Sequence, residues 1–133
     1  MAEKIYYEAF DAVYVKNYDA DTITVNIPHV PLIIGENMPI RVNGIDTPEM
    51  HSKSQAERDL AIQGHDFVHD LLSKYPKVHL YNCKRGKYFR IVADIACGEK
   101  CEHNLSALLL ERKYALPYDG GTKPDWSFLD DNA

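Results

Sequence analysis

Residues 43–50 read "NGIDTPEM" and place two carboxylates, Asp46 and Glu49, around a Thr-Pro turn. Pro48 fixes its own φ and stiffens the segment. Two acids this close in a stiff turn repel each other, and a cation or a proton relieves the repulsion. Asp, Thr and Pro are also ordinary turn formers, so the octapeptide taken alone reads as a plain turn. Other polar residues sit oddly. Asp21 opens one strand-like run, Arg41 lies in the middle of another opposite its apolar face, and Arg90 lies in the middle of a later one. Each alone is explained as a turn or solvated strand residue, because short motifs are common by chance. Together they suit one task, the cleavage of a phosphodiester. That reaction needs a hard cation on a phosphate oxygen, a base to position water, and fixed positive charge where negative charge develops. Asp21 and Asp46 offer two carboxylates and the Thr47 carbonyl a third oxygen, a donor set that suits Ca²⁺, or less well Mg²⁺, rather than zinc. Glu49 is then the spare carboxylate for a water. Arg41 and Arg90 can each fork two N–H groups onto a phosphate.

These residues need a scaffold. Residues 10–17 and 22–27 alternate in polarity and are rich in β-branched and aromatic types, so both read as strands, joined by the "YDAD" turn. Residues 38–43 form a third strand, with Ile40 and Val42 on one face, Arg41 and Asn43 on the other, and Pro39 at its start or on an edge. Residues 54–74 give the clearest helix. Ser54 and Glu57 form a capping box, Leu60, Gly64, Phe67 and Leu71 repeat at helical spacing, and Pro76 ends it. Two more strands follow, "KVHLYNC" and "KYFRIVADIAC", and then a short helix over 104–112 capped by Asn104. Five strands with a helix after the third predict an α+β, mainly β domain: a five-stranded OB-fold barrel with a short C-terminal helix.

Composition sets outer bounds. At 133 residues, 45% hydrophobic and 26% charged, the chain suits one soluble domain with one core. A net charge of −5 argues against a protein that coats duplex DNA, but not against an enzyme that holds nucleic acid locally. The cations are concentrated in "KRGKYFR" at 84–90, where Lys84 and Lys87 are candidate substrate contacts. No apolar run is long enough to span a bilayer, and the first ten residues have no secretory core, so a cytoplasmic monomer without membrane contact is expected. Three cysteines fit a reducing compartment. Cys83, Cys97, Cys101 and His103 could form a zinc site, but no tight Cys-x2-Cys pair is present, and small packing residues at a strand end are the expected role.

The chain resembles the staphylococcal nuclease (thermonuclease-like) family. The resemblance rests on "DADT" at 19–22, "IRVNGIDTPE" at 40–49, "KYFR" at 87–90 and the late "NLSALLLERKYALPYDG". It runs over about residues 10–121 of a single 1–133 domain and leaves 122–133 as a tail. It implies an OB-barrel with helices and Ca²⁺-dependent hydrolysis of DNA or RNA. It implies metal binding by Asp21, Asp46 and the Thr47 backbone, water activation by Glu49, and phosphate binding by Arg41 and Arg90. Tyr118 resembles aromatic positions that stack on a base. Family members often carry Gly where Ala20 stands and a small Gly where Phe89 stands, and their loop near Cys83–Lys87 is longer. If the backbone at Ala20 needs φ > 0, Asp21 is displaced or stability is lost. The alternative is a catalytically weak nuclease-like OB module that binds nucleic acid or a protein partner.

Overall fold

The computed structural model describes residues 8–86 and 90–132. Its order is β1 (Glu8–Asn17), β2 (Thr22–Asn26), α1 (Leu32–Gly35), β3 (Met38–Val42), β4 (Ile45–Asp46), α2 (Gln55–Lys74), β5 (Lys77–Arg85), β6 (Ile91–Cys97), β7 (His103–Asn104), α3 (Leu105–Glu111), β8 (Leu116–Pro117) and a 3-10 helix (Ser127–Asn132). β3, β2, β1, β5 and β6 hydrogen-bond in that order, and parallel pairing of β6 with β3 closes the barrel. This is the OB topology that the sequence predicts, α+β and mainly β.

Alternation builds the barrel interior. Ile23 and Val25 of β2, Ile40 and Val42 of β3, Leu80 of β5, and Ala93 and Ile95 of β6 are all buried. β1 is shared between two neighbours. Residues from Val13 onward pair with β2 and residues up to and including Val13 with β5, with register shifts between Glu8 and Phe10 and between Tyr14 and Lys16. Such extra residues raise the local twist and let one long strand turn a barrel corner. Pro39 pairs with Thr24 of β2, and β6 joins only from Ile40 onward, so its missing N–H falls outside the β6 ladder.

α2 begins where the sequence places it, with Ser54 accepting from the Glu57 N–H at 3.1 Å. Only half of the expected box forms. The Glu57 carboxylate turns away and accepts from the Glu49 N–H (2.7 Å) and the Ser52 hydroxyl (3.0 Å). The helix thereby holds the Glu49 loop instead of only its own end. The most buried line of α2 is Ala61, Gly64, Val68 and Leu72, while Leu60, Phe67 and Leu71 flank it half-buried. α3 is capped by Asn104, as expected, and buries Leu105 and Leu109 in the core.

Other features differ from expectation. The β6 ladder starts at Ile91, so Arg90 precedes the strand rather than lying within it, and the Gly86 N–H donates to the Arg90 carbonyl at 2.8 Å to close the hairpin turn. Residues 87–89 of the expected strand, Lys87 and Phe89 included, lie outside the described residues. α1, β4, β7 and β8 have no counterpart in the periodicity because each is only two to four residues long. The last stretch, expected as a tail, contributes a buried Trp126 and a 3-10 helix against α2, where Asp130 accepts from the Ser54 hydroxyl at 2.6 Å.

Candidate active site

Asp21 is placed by the turn between β1 and β2. Its N–H donates to Asp19 Oδ1 (3.1 Å) and its carbonyl accepts from Val42 N–H (2.9 Å), which pins the turn to β3. Asn17, itself buried, donates to the carbonyls of Asp19 (3.0 Å) and His65 (3.2 Å) and so ties the same turn to α2. The helix comes this close because position 64 is glycine: a Cβ there would meet Ala20 Cβ at 3.3 Å and Tyr114 Cβ at 3.4 Å. Ala20 is not among the residues with positive φ, so the backbone of "DADT" places no demand for glycine and Asp21 is not displaced by the alanine.

Arg41 is opposite Thr22 in the β2–β3 register, which brings it beside Asp21. Gly44, at φ +82, makes the turn from β3 to β4 that returns Asp46 toward Arg41. Arg41 lies 3.2 Å from Asp21 Oδ2 through one terminal nitrogen and 3.7 Å from Asp46 Oδ1 through the other. The same nitrogens donate to the carbonyls of Val42 (3.1 Å) and Ile45 (2.9 Å). Asp21 and Asp46 are 7% and 3% exposed, so their shared cation is held with little solvent screening. Asp46 is secured further by the Trp126 indole N–H, which donates to Oδ2 at 3.1 Å, and by Lys123, 3.7 Å from Oδ1. Glu49, by contrast, is exposed, and its Oε1 lies 3.5 Å from the Lys123 ammonium.

A cleft of about 900 Å³ opens over this row, lined by Asp19, Asp21, Arg41, Thr47 and Glu49 together with Lys84, Arg85, Arg90, Lys123, Tyr18 and Tyr118. Acidic and basic side chains therefore share one cavity. Lys84 and Arg85 reach it because β5 carries an extra residue between Tyr81 and Lys84, opposite Asp94 and Val92 of β6, with Asn82 at φ 53. A bulge of this kind re-aims the side chains that follow it. Tyr118 is fixed by its N–H, which donates to Gly44 O at 2.9 Å.

The donor set fits a hard divalent cation. Thr47 Oγ1, next to Asp46, is buried with no hydrogen-bond partner among the described residues, and orphaned buried polar atoms of this sort call for a ligand or a water. Burial, and to a lesser degree the hydrogen bond and charge of the neighbouring Asp21, push the Asp19 carboxyl up to about 7. Among the described residues no three His, Cys, Asp or Glu side chains converge as a ligand set, so a cation here would have two carboxylates and a Thr47 oxygen from the protein and would need water or substrate for its remaining positions. Cys83, Cys97, Cys101 and His103, all among the described residues, do not form such a group either, although Cys97 and His103 pair across β6 and β7. The Nε of Arg90 is likewise buried with no acceptor among the described residues, a donor in want of an anion.

A family model described as staphylococcal nuclease homologue matches residues 39–126. The chain belongs to that family. The match takes in Arg41, Asp46, Thr47, Glu49, Lys84, Arg90 and Tyr118, while Asp21 precedes it and joins the site through the β2–β3 pairing. No curated protein matches the chain. Of the residues singled out from sequence, the structure brings Asp21, Arg41, Asp46, Thr47, Glu49, Lys84, Arg90 and Tyr118 to one locale, and Lys87 lies outside the described residues. Five residues were missed, among them Tyr18, which stood in the quoted turn and lines the cleft. Asp19 and Arg85 stood inside quoted motifs, where a carboxyl two residues before Asp21 and a cation next to Lys84 were visible. Lys123 and Trp126 carried no local signal, because their contacts are with residues more than seventy positions away.

Proposed function

We propose that the protein is a metal-dependent nuclease that hydrolyses phosphodiester bonds of DNA or RNA, with Ca²⁺ as its cation. One observation carries the reading: Asp21, Arg41 and Asp46 form a buried ion-paired row beside a cleft that also holds Lys84, Arg85 and Arg90. A cleft lined only by acids would repel a phosphodiester, and one lined only by bases would hold it without cutting. Asp21, Asp46 and Thr47 would hold the cation, which when bound polarises a phosphate oxygen.

The chain's own residues do the rest. Glu49 is exposed at the cleft, so its carboxylate can accept a proton from a water approaching the phosphorus. Its loop is held from behind by Glu57, which fixes where that water is presented. Arg90 offers an N–H with no acceptor among the described residues, and Lys84 and Arg85 offer exposed cations to flanking phosphates. Arg41 has its terminal nitrogens engaged by Asp21, Asp46 and two carbonyls, so in this state it holds the carboxylates together. It turns to phosphate only as those carboxylates find another cation. Tyr18 and Tyr118, both lining the cleft, would supply rings for unpaired bases to stack on. The enzyme acts as a cytoplasmic monomer on this reading, and no described helix is long and apolar enough to cross a membrane.

The test is incubation of the purified protein with end-labelled single- and double-stranded DNA and RNA in Ca²⁺, Mg²⁺ or EDTA. Cleavage in Ca²⁺ that EDTA abolishes is expected. Undiminished cleavage in EDTA removes the metal from the reading, and binding without cleavage in every metal leaves a nucleic-acid-binding module instead.

A further inference from the structure

The segment after Tyr118 is tied down on both sides of Asp46. On one side β8 pairs with β4, with Leu116 opposite Asp46, and Tyr118 N–H donates to Gly44 O. On the other side the Trp126 indole donates to Asp46 Oδ2 and Asp130 accepts from Ser54. Between these ties Gly120 adopts φ +95 with nothing within 4 Å of where a Cβ would stand, so the chain arches freely there. The arch delivers Lys123. Its ammonium lies 3.7 Å from Asp46 Oδ1 and 3.5 Å from Glu49 Oε1, and Arg41 reaches that same Asp46 oxygen at 3.7 Å.

Building on the nuclease reading, we propose that Lys123 is a tethered counter-cation, a positioning residue that neutralises Asp46 and Glu49 and competes with the divalent cation for Asp46. The charges make the argument. Within the ion-paired row, Asp21, Asp46 and Glu49 carry three negative charges and Arg41 and Lys123 two positive ones, a net −1, and losing Lys123 makes it −2 while Asp19, Lys84, Arg85 and Arg90 of the same cleft are unchanged. Arg41 is packed and held by two carbonyls, whereas the Lys123 side chain is 61% exposed on a flexible stem, so Lys123 is the cation that yields first. Exposure also limits the effect, since each solvent-screened pair contributes little, and removing both should tighten cation binding by about three- to tenfold.

The experiment is calorimetric titration of CaCl₂ into the metal-stripped full chain without nucleic acid, comparing wild type, Lys123→Gln and Lys123→Arg at low and high NaCl. Lys123→Gln should bind Ca²⁺ about three- to tenfold more tightly, Lys123→Arg should stay near wild type, and the gain should shrink at high salt. In an Asp46→Asn background the gain should largely vanish. Equal or weaker binding by Lys123→Gln overturns the inference, as does no measurable Ca²⁺ uptake by wild type and Lys123→Gln alike. The two readings fail separately. A wild type that binds Ca²⁺ yet cuts nothing removes the nuclease and leaves the Lys123 result standing. A wild type that cuts while Lys123→Gln binds no more tightly overturns the Lys123 role alone.

Discussion

Replacing Arg41 with Met keeps much of the side-chain length and removes the guanidinium. Asp21 would retain the Thr22 hydroxyl at 3.2 Å, Asp46 would retain Trp126 and Lys123, and the Val42 and Ile45 carbonyls would each lose a donor. Breaking a buried pair by removing one partner costs about 3–5 kcal/mol, because the surviving charge stays desolvated. Lys123 still faces Asp46, which places the expected loss near the lower end, about 3 kcal/mol. At about 2.1 cal/mol/K of unfolding entropy per residue, 133 residues give about 0.28 kcal/mol/K, so the melting temperature should fall by about 11 °C in EDTA. Calcium should reverse much of this. A cation present at about one hundred times its Kd returns about 2.7 kcal/mol, and the variant's carboxylates no longer share their charge with Arg41. Differential scanning calorimetry in EDTA and in excess Ca²⁺ measures both effects. A drop in EDTA below about 4 °C, equivalent to about 1 kcal/mol, would refute the argument that Arg41 compensates the two buried carboxylates. A Ca²⁺ shift no larger in the variant than in wild type would refute the claim that arginine and metal serve the same two groups.

Three further outcomes are expected. Glu49→Gln should lower kcat by about 10²–10⁴ and move the Ca²⁺ midpoint less than Asp46→Ala, which should weaken it as well as the rate; if Glu49→Gln moves mainly the midpoint in a Ca²⁺ titration of rate, Glu49 is a ligand instead. The Asp19 carboxyl, raised from 3.8 to about 7, makes the folded state bind more protons than the unfolded one between those values, so wild-type stability in EDTA falls as pH rises through that window. Asp19→Asn should escape the fall, and a stability difference between the two proteins that stays constant from pH 4 to pH 8 in urea titrations would contradict the assignment. Burial pushes the Cys97 thiol up to about 11, helped by the negative charge of Glu102, while Cys101 is exposed. Iodoacetamide at pH 8 should therefore label Cys101 well before Cys97, and peptide mass spectrometry showing the reverse order would mean that the strand end opens in solution.

The sequence by itself determined what depends on local periodicity and local chemistry. Alternation at Ile23–Val25 and Ile40–Val42 marked barrel strands, Ser54 marked the start of the long helix, and the acids and arginines of three short motifs marked the candidate site. Those signals are legible because a strand or helix face is written into neighbouring residues, and because hard-cation chemistry admits few side chains. The tertiary structure alone decided which residues meet. The bulge at Asn82 that turns Lys84 and Arg85 into the cleft, and the Gly86 turn that leaves Arg90 at a strand's lip, depend on how β5 and β6 close the barrel. The contacts of Trp126 with Asp46 and of Lys123 with Glu49 join residues that no window of sequence compares. Arg41 shows the division most clearly. Its type and strand position named it as a phosphate ligand, but its packing between two buried carboxylates makes it first their counter-charge, because a desolvated carboxylate takes the nearest fixed cation before any ligand arrives.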